Sequence, residues 1–295
     1  MGKAEFEEKE YEGPLYNQLT GNRNIWSPGQ VFEQHIGIDY AMLLEEEWIF
    51  NLHRFRRVLP GAALSRYRWP RRWFLRRTTN RLPTFRLNLF IQAKRSEWNR
   101  GARKLLRENG IQGPHWHFKI DEDQQVALET VWNKLRNRAL VVYAAPAFHT
   151  HQDLYRHTRG GTIAENSTFP SVQVLKDHQA WYYQHPGASG VANTEPEKIE
   201  ELQLNDRIAD LIGSELNAEN QAWSDNLKGL SADIVASLSA ENLKETSRRA
   251  TFFEAVNEIE SVKGDFDYFD AWKAFYKINA FCETFLVDWY VLQDK

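Results

Sequence analysis

Phe90-Ile91-Gln92-Ala93-Lys94-Arg95-Ser96 is the stretch from which the fold is read. An apolar run, Leu87, Leu89, Phe90 and Ile91, leads into it and predicts a strand. Side chains alternate along a strand, so Gln92 and Lys94, two positions apart, share one face. Ser96 then predicts the N-cap of a basic helix over Glu97–Asn109, lined by Arg100, Arg103, Lys104 and Arg107 and closed by Gly110. Upstream, Gly37-Ile38-Asp39-Tyr40-Ala41 reads as a second short strand that carries one acid just after a glycine.

An acid on one strand, followed at a distance by an apolar strand ending in (Glu or Gln)-x-Lys, resembles the active-site signature of the PD-(D/E)XK nuclease superfamily. The Gln form is similar to the Mrr-like branch. The resemblance covers residues 27–146 and implies an α/β fold: a restriction-endonuclease-like mixed sheet flanked by helices. It implies Mg²⁺ or Mn²⁺ held by Asp39, Gln92 and the backbone carbonyl of Ala93, with Lys94 beside the water or the phosphate. Hard divalent cations prefer such oxygen donors, and a cation there steadies charge developing on phosphate. Glu33, at the end of a short helix that begins at Ser27-Pro28, is the expected additional acid, and Glu12 is the alternative. A basic insert over residues 54–86 accounts for the long spacing from Asp39 to Gln92.

Charge is distributed unevenly. Residues 48–96 hold twelve Arg, one Lys and no acid. Residues 197–295 hold twenty acids against ten Lys and Arg, a net charge of −10, whereas residues 1–196 carry +7. Phosphate contacts are expected from Arg54, Arg56, Arg57, Arg66, Arg68, Arg71, Arg72, Arg76 and Arg77, and beyond the insert from Arg95 and Arg103. Interleaved Phe55, Tyr67, Trp69, Trp73 and Phe74 suit stacking on unpaired bases. The same positive charge could instead dock an acidic tail of this chain or of a partner.

The remaining chain sorts into two parts. Residues 1–196 are expected to form the nuclease-like domain. Its first segment, 5–19, is charged, and Gly13-Pro14 is expected to interrupt any helix there. Strands are expected at Trp116–Ile120 and Ala139–Ala145, the latter buried on both faces, with helices over Glu122–Arg136 and Gln152–Arg159. His115 and His117 lie opposite the apolar positions and are expected to face solvent rather than bind zinc; the same is expected of the pair His149 and His151. Residues 197–295 read as an acidic, all-helical region with helices over 197–217, 231–246, 248–261 and 266–292, suited to dimerisation or to a regulatory protein partner.

One cysteine, Cys282, excludes an internal disulfide and a multi-cysteine metal site. With no apolar leader and no apolar run of membrane-spanning length, a cytoplasmic location is expected and membrane association is not. The expected function is metal-dependent endonucleolytic cleavage of DNA, in defence against foreign DNA. The alternatives are an RNase of the same fold and a non-catalytic nucleic-acid-binding or scaffold subunit of a defence complex.

Overall fold

A computed structural model describes residues 2–21, 25–26, 85–187, 189–213, 223–240, 243–263 and 269–293. Glu33, Asp39 and the insert arginines from Arg54 to Arg77 lie outside the described residues. The fold is mixed α/β, as expected, and helices dominate the C-terminal region. Eleven strands are described: β1 (Gly2–Lys3), β2 (Ile25–Trp26), β3 (Phe85–Ala93), β4 (Glu97–Asn99), β5 (His115–Lys119), β6 (Ala139–Pro146), β7 (Ser167–Thr168), β8 (Ala180–Tyr183), β9 (Ser189–Asn193), β10 (Glu197–Glu200) and β11 (Asp288–Gln293). The helices are α1 (Glu8–Gly21), α2 (Lys104–Glu108), α3 (Glu122–Leu135), α4 (His151–Gly160), α5 (Leu204–Gly213), α6 (Trp223–Leu238), α7 (Ser247–Ser261) and α8 (Phe269–Phe285).

Two sheets organise them. A mixed five-stranded sheet has the order β2-β11-β3-β6-β7, and a six-stranded antiparallel sheet has the order β1-β4-β5-β8-β9-β10. The centre of the first is the parallel pair β3–β6, with Phe90 opposite Val141 and Gln92 opposite Tyr143. Parallel neighbours require a long crossover, and residues 94–138 supply it. Every residue of β6 is buried, because helices cover both faces of the sheet. Leu89, Ile91, Leu140 and Val142 pack against Tyr11, Leu15 and Leu19 of α1. Phe90, Val141 and Tyr143 pack on the opposite face against α3, α6, α7 and α8, and that core continues to Trp181 and Tyr183 of the second sheet.

Several expected elements differ in the structure. Residues 97–109 are not one helix: Glu97–Asn99 pair with β5, and only Lys104–Glu108 are helical. Trp98 opposite Trp116 is a cross-strand aromatic pair, which favours the strand over a helix interrupted by Gly101. Ser96 is fully buried, and its hydroxyl donates to the Phe148 carbonyl instead of capping. Helix α1 runs through Gly13-Pro14. An interior proline costs a helix about 3 kcal/mol. Burial of Tyr11, Leu15 and Leu19 at about 1.5–3 kcal/mol each outweighs that cost.

The tail also departs from the helical expectation. Glu197–Glu200 form β10 in a hairpin with β9, so the expected boundary at residue 196 falls in its turn. The last helix ends at Phe285, Leu286 takes a left-handed φ of 53°, and the chain returns as β11. β11 inserts between β2 and β3, antiparallel to both. His115 and His117 are 2% and 3% exposed, not solvent-facing. Leu106 of α2 and Ile111, packed with Val191 and Tyr182, cover that side of the second sheet.

Candidate active site

The C-terminal end of β3 gathers the chemistry. Gln92 is 2% exposed, and its Oε1 accepts no hydrogen bond among the described residues. Lys94 is the first residue past the strand, held by its backbone N–H donating to the Ala144 carbonyl at 2.8 Å. Its Nζ donates to Gln124 Oε1 at 2.9 Å and lies 5.6 Å from the centroid of the Tyr143 ring. Burial holds the Lys94 ammonium below the usual lysine range, while Glu8 and Asp121 act in the opposite direction.

A shell of amides fixes this end. Gln124 sits in the first turn of α3, where its backbone N–H is capped by Asp121 Oδ1 at 3.0 Å. Its side-chain nitrogen donates to the Phe285 carbonyl, which ties α3 to the end of α8. The Tyr143 hydroxyl donates to Gln125 Oε1 at 2.6 Å, and Gln125 Nε2 donates to the Val172 carbonyl at 2.7 Å. Tyr143 and Gln124 therefore restrict where the Lys94 head group can lie.

Carboxylates approach the same end from the α1 side. Glu8 accepts from the Arg95 backbone N–H at 3.2 Å; burial raises its pKa, and the nearby charge of Lys94 opposes the rise. Glu12 accepts from Lys9 Nζ at 2.7 Å. Asp288 opens β11 directly opposite Ile91, one residue from Gln92. Burial pushes the Asp288 carboxyl up, a hydrogen bond with Tyr16 opposes this, and the charge of Glu12 adds to it. By the pleat, Gln92 faces the α3 layer, whereas Asp288 and Ile91 face α1. Lys94, beyond the last strand residue, is influenced by both sides.

Of the expected site residues, Gln92, Ala93 and Lys94 lie together at the end of β3, whereas Glu12 is on α1, on the other side of the sheet from Gln92, paired with Lys9 and near Asp288. Arg95 lies beside Lys94, but its guanidinium is engaged by Glu7 at 2.7 Å. Arg103 is exposed, just before α2. Asp288, Glu8 and Gln124 were not anticipated. Asp288 opens a run, Asp288-Trp289-Tyr290-Val291, whose aromatic and β-branched content is strand-like, and that was the signal available for it. Among the described residues, no three His, Cys, Asp or Glu side chains stand close enough together to hold a metal ion. No helix among them is long and apolar enough to cross a membrane. The chain has no match among protein-family models, curated proteins or solved structures.

Proposed function

We propose that this chain is a metal-dependent nuclease that hydrolyses phosphodiester bonds in DNA. The observation that carries the reading is the end of β3, where Lys94, within reach of the Glu8 charge, follows the unpartnered carbonyl oxygen of buried Gln92 by two residues. The donors are all oxygen, the set that Mg²⁺ or Mn²⁺ prefers. An orphaned buried amide oxygen costs about 1–3 kcal/mol, a cost that a bound cation would relieve.

In this reading Gln92 and the Ala93 carbonyl hold the cation, together with Asp39 and Glu33 from the part of the chain outside the described residues. Bound Mg²⁺ or Mn²⁺ supplies charge neutralisation at the scissile phosphate and lowers the pKa of a bound water. Lys94, positioned by Gln124 and Tyr143, offers its ammonium to the oxygens of the phosphate as negative charge develops. Glu8 holds the backbone at Arg95, and with it the position of Lys94. A role in defence against foreign DNA rests on the resemblance alone.

The test is cleavage of plasmid, linear and single-stranded DNA and of RNA, with Mg²⁺, Mn²⁺ or EDTA, by the wild type, Lys94→Ala and Gln92→Ala. DNA cutting that requires metal and drops at least about 100-fold in both variants is expected. Cutting confined to RNA would make the chain an RNase. Cutting that survives in Lys94→Ala would overturn the site.

A further inference from the structure

We propose that residues 98–107, immediately beyond the candidate site, bind a single strand of nucleic acid. Trp98 would stack on an unpaired base, and Arg100, Arg103 and Arg107 would hold the phosphates on either side. The proposal rests on the nucleic-acid half of the reading above and not on cleavage.

The segment begins four residues after Lys94 and carries charge without internal compensation. Arg100, Arg103 and Arg107 are exposed, and no carboxylate among the described residues pairs with any of them. The two acids that flank the segment in sequence engage partners other than these three arginines. Glu97 lies 3.6 Å from His117 Nε2, and Glu108 lies 3.8 Å from Lys104 Nζ. Leu105, at 61% exposure, adds an apolar spot among the charges. Such a surface attracts a polyanion, and guanidinium forks suit phosphate oxygens.

The aromatic group decides which polyanion. Trp98 is half-buried in β4, and its ring stacks on His149 with centroids 4.7 Å apart and planes 9° from parallel. Arg100 lies 5.7 Å from the centre of the same ring. An exposed cation–π contact of this kind is worth about 0.5–1 kcal/mol. Base–aromatic stacking is worth about 1–3 kcal/mol, so a base can displace the Arg100 head group and leave it free for phosphate. An acidic protein surface would use the arginines but not the ring. A duplex would use the arginines as well, but its base faces are already covered by their neighbours.

The experiment measures fluorescence anisotropy of labelled oligo-dT with the full chain in EDTA, so that cleavage does not intervene. Oligo-dT is expected to bind more tightly than the corresponding duplex and to quench tryptophan emission. Trp98→Ala should weaken binding about tenfold, with Trp98→Phe retaining most of it. Replacing both Arg103 and Arg107 by Ala, at exposed positions where folding is unaffected, should lower the slope of log K against log salt by about 1.4, two phosphates at about 0.7 each. Unchanged affinity in the double arginine variant would overturn the proposal. So would equal binding of duplex with no loss in Trp98→Ala, or competition by poly-glutamate as effective as that by oligo-dT, which would mark an acidic protein as the partner. Normal binding without cutting would sink the nuclease reading alone, whereas cutting with both variants unaffected would sink this proposal alone.

Discussion

His117 shows how far a single side chain can depart from what alternation along a strand suggests. Its position opposite Trp116 and Phe118 places it correctly on the other face of the sheet. What alternation does not reveal is that α2 and the loop after it close over that face. The ring ends up stacked on Tyr182 at 5.0 Å, with Nδ1 3.1 Å from Asn99 Nδ2 and Glu97 beside Nε2. Burial lowers its pKa below 6.5; Glu97 opposes the shift, and His115 and Lys119 add to it. The unfolded chain therefore takes up a proton on falling through pH 6.5, while the native state still resists one. Stability should be constant above pH 6.5 and fall below it, by about 1.4 kcal/mol per pH unit, until the lowered native pKa is reached. Urea denaturation across this range should show a shallower acid slope in His117→Gln, and an unchanged slope would mean that the imidazole titrates normally in the folded chain. The same scale explains the partial legibility of the candidate site. Gln92 and Lys94 announce themselves by spacing on an apolar strand, but Asp288 is brought beside Ile91, on the other face of that strand, by a pairing across almost two hundred residues of sequence.

Elements were legible where one period dominated. The strand Ala139–Pro146 and the helices α3, α4 and α7 lie close to where their apolar patterns and caps place them. Failures came where two patterns overlap. Phe281, Phe285 and Trp289 continue a helical spacing, yet Trp289 and Tyr290 also alternate, and the open edge between β2 and β3 selects the strand. In the helical layer, segment ends depend on side-chain hydrogen bonds from the next helix. Arg249, in the first turn of α7, donates from Nε to the Leu238 carbonyl and from Nη1 to the Leu243 carbonyl, each at 2.7 Å, and from Nη2 to the Ala240 carbonyl at 3.3 Å. These bonds satisfy carbonyls at and after the end of α6 that no helical N–H reaches. Hydrogen bonds from charged donors contribute about 1.5–3 kcal/mol each when not solvent-weakened. Arg249→Ala should therefore lower unfolding stability by about 2–3 kcal/mol, with Arg249→Lys intermediate, as read from denaturant midpoints. A loss below about 0.5 kcal/mol would show that water serves these carbonyls equally well.

Across the whole molecule, the charge asymmetry at residue 196 marks a change in composition but not a gap in the core. The sheet end that presents Gln92 and Lys94 is built from both halves: β3 and β6 from one, β11 from the other, with Gln124 tied to the Phe285 carbonyl. Fifteen of the thirty described residues buried in the larger core cluster lie between Leu227 and Val291. Removing them would uncover Phe90, Val141, Tyr143 and Trp181 on one face of the central sheet. At about 1.5–3 kcal/mol for each large apolar side chain, the loss far exceeds the 5–15 kcal/mol by which a domain is ordinarily stable. Residues 1–196 expressed alone should therefore show no cooperative urea transition and should bind a hydrophobic dye, whereas the full chain should unfold in one step. Adding residues 197–295 in trans should restore the transition and, with it, any metal-dependent activity, because β11 returns to its place beside β3. A cooperative transition for residues 1–196 alone would mean that the helical layer is an appended domain, and that the strand carrying Asp288 is dispensable to the sheet it completes.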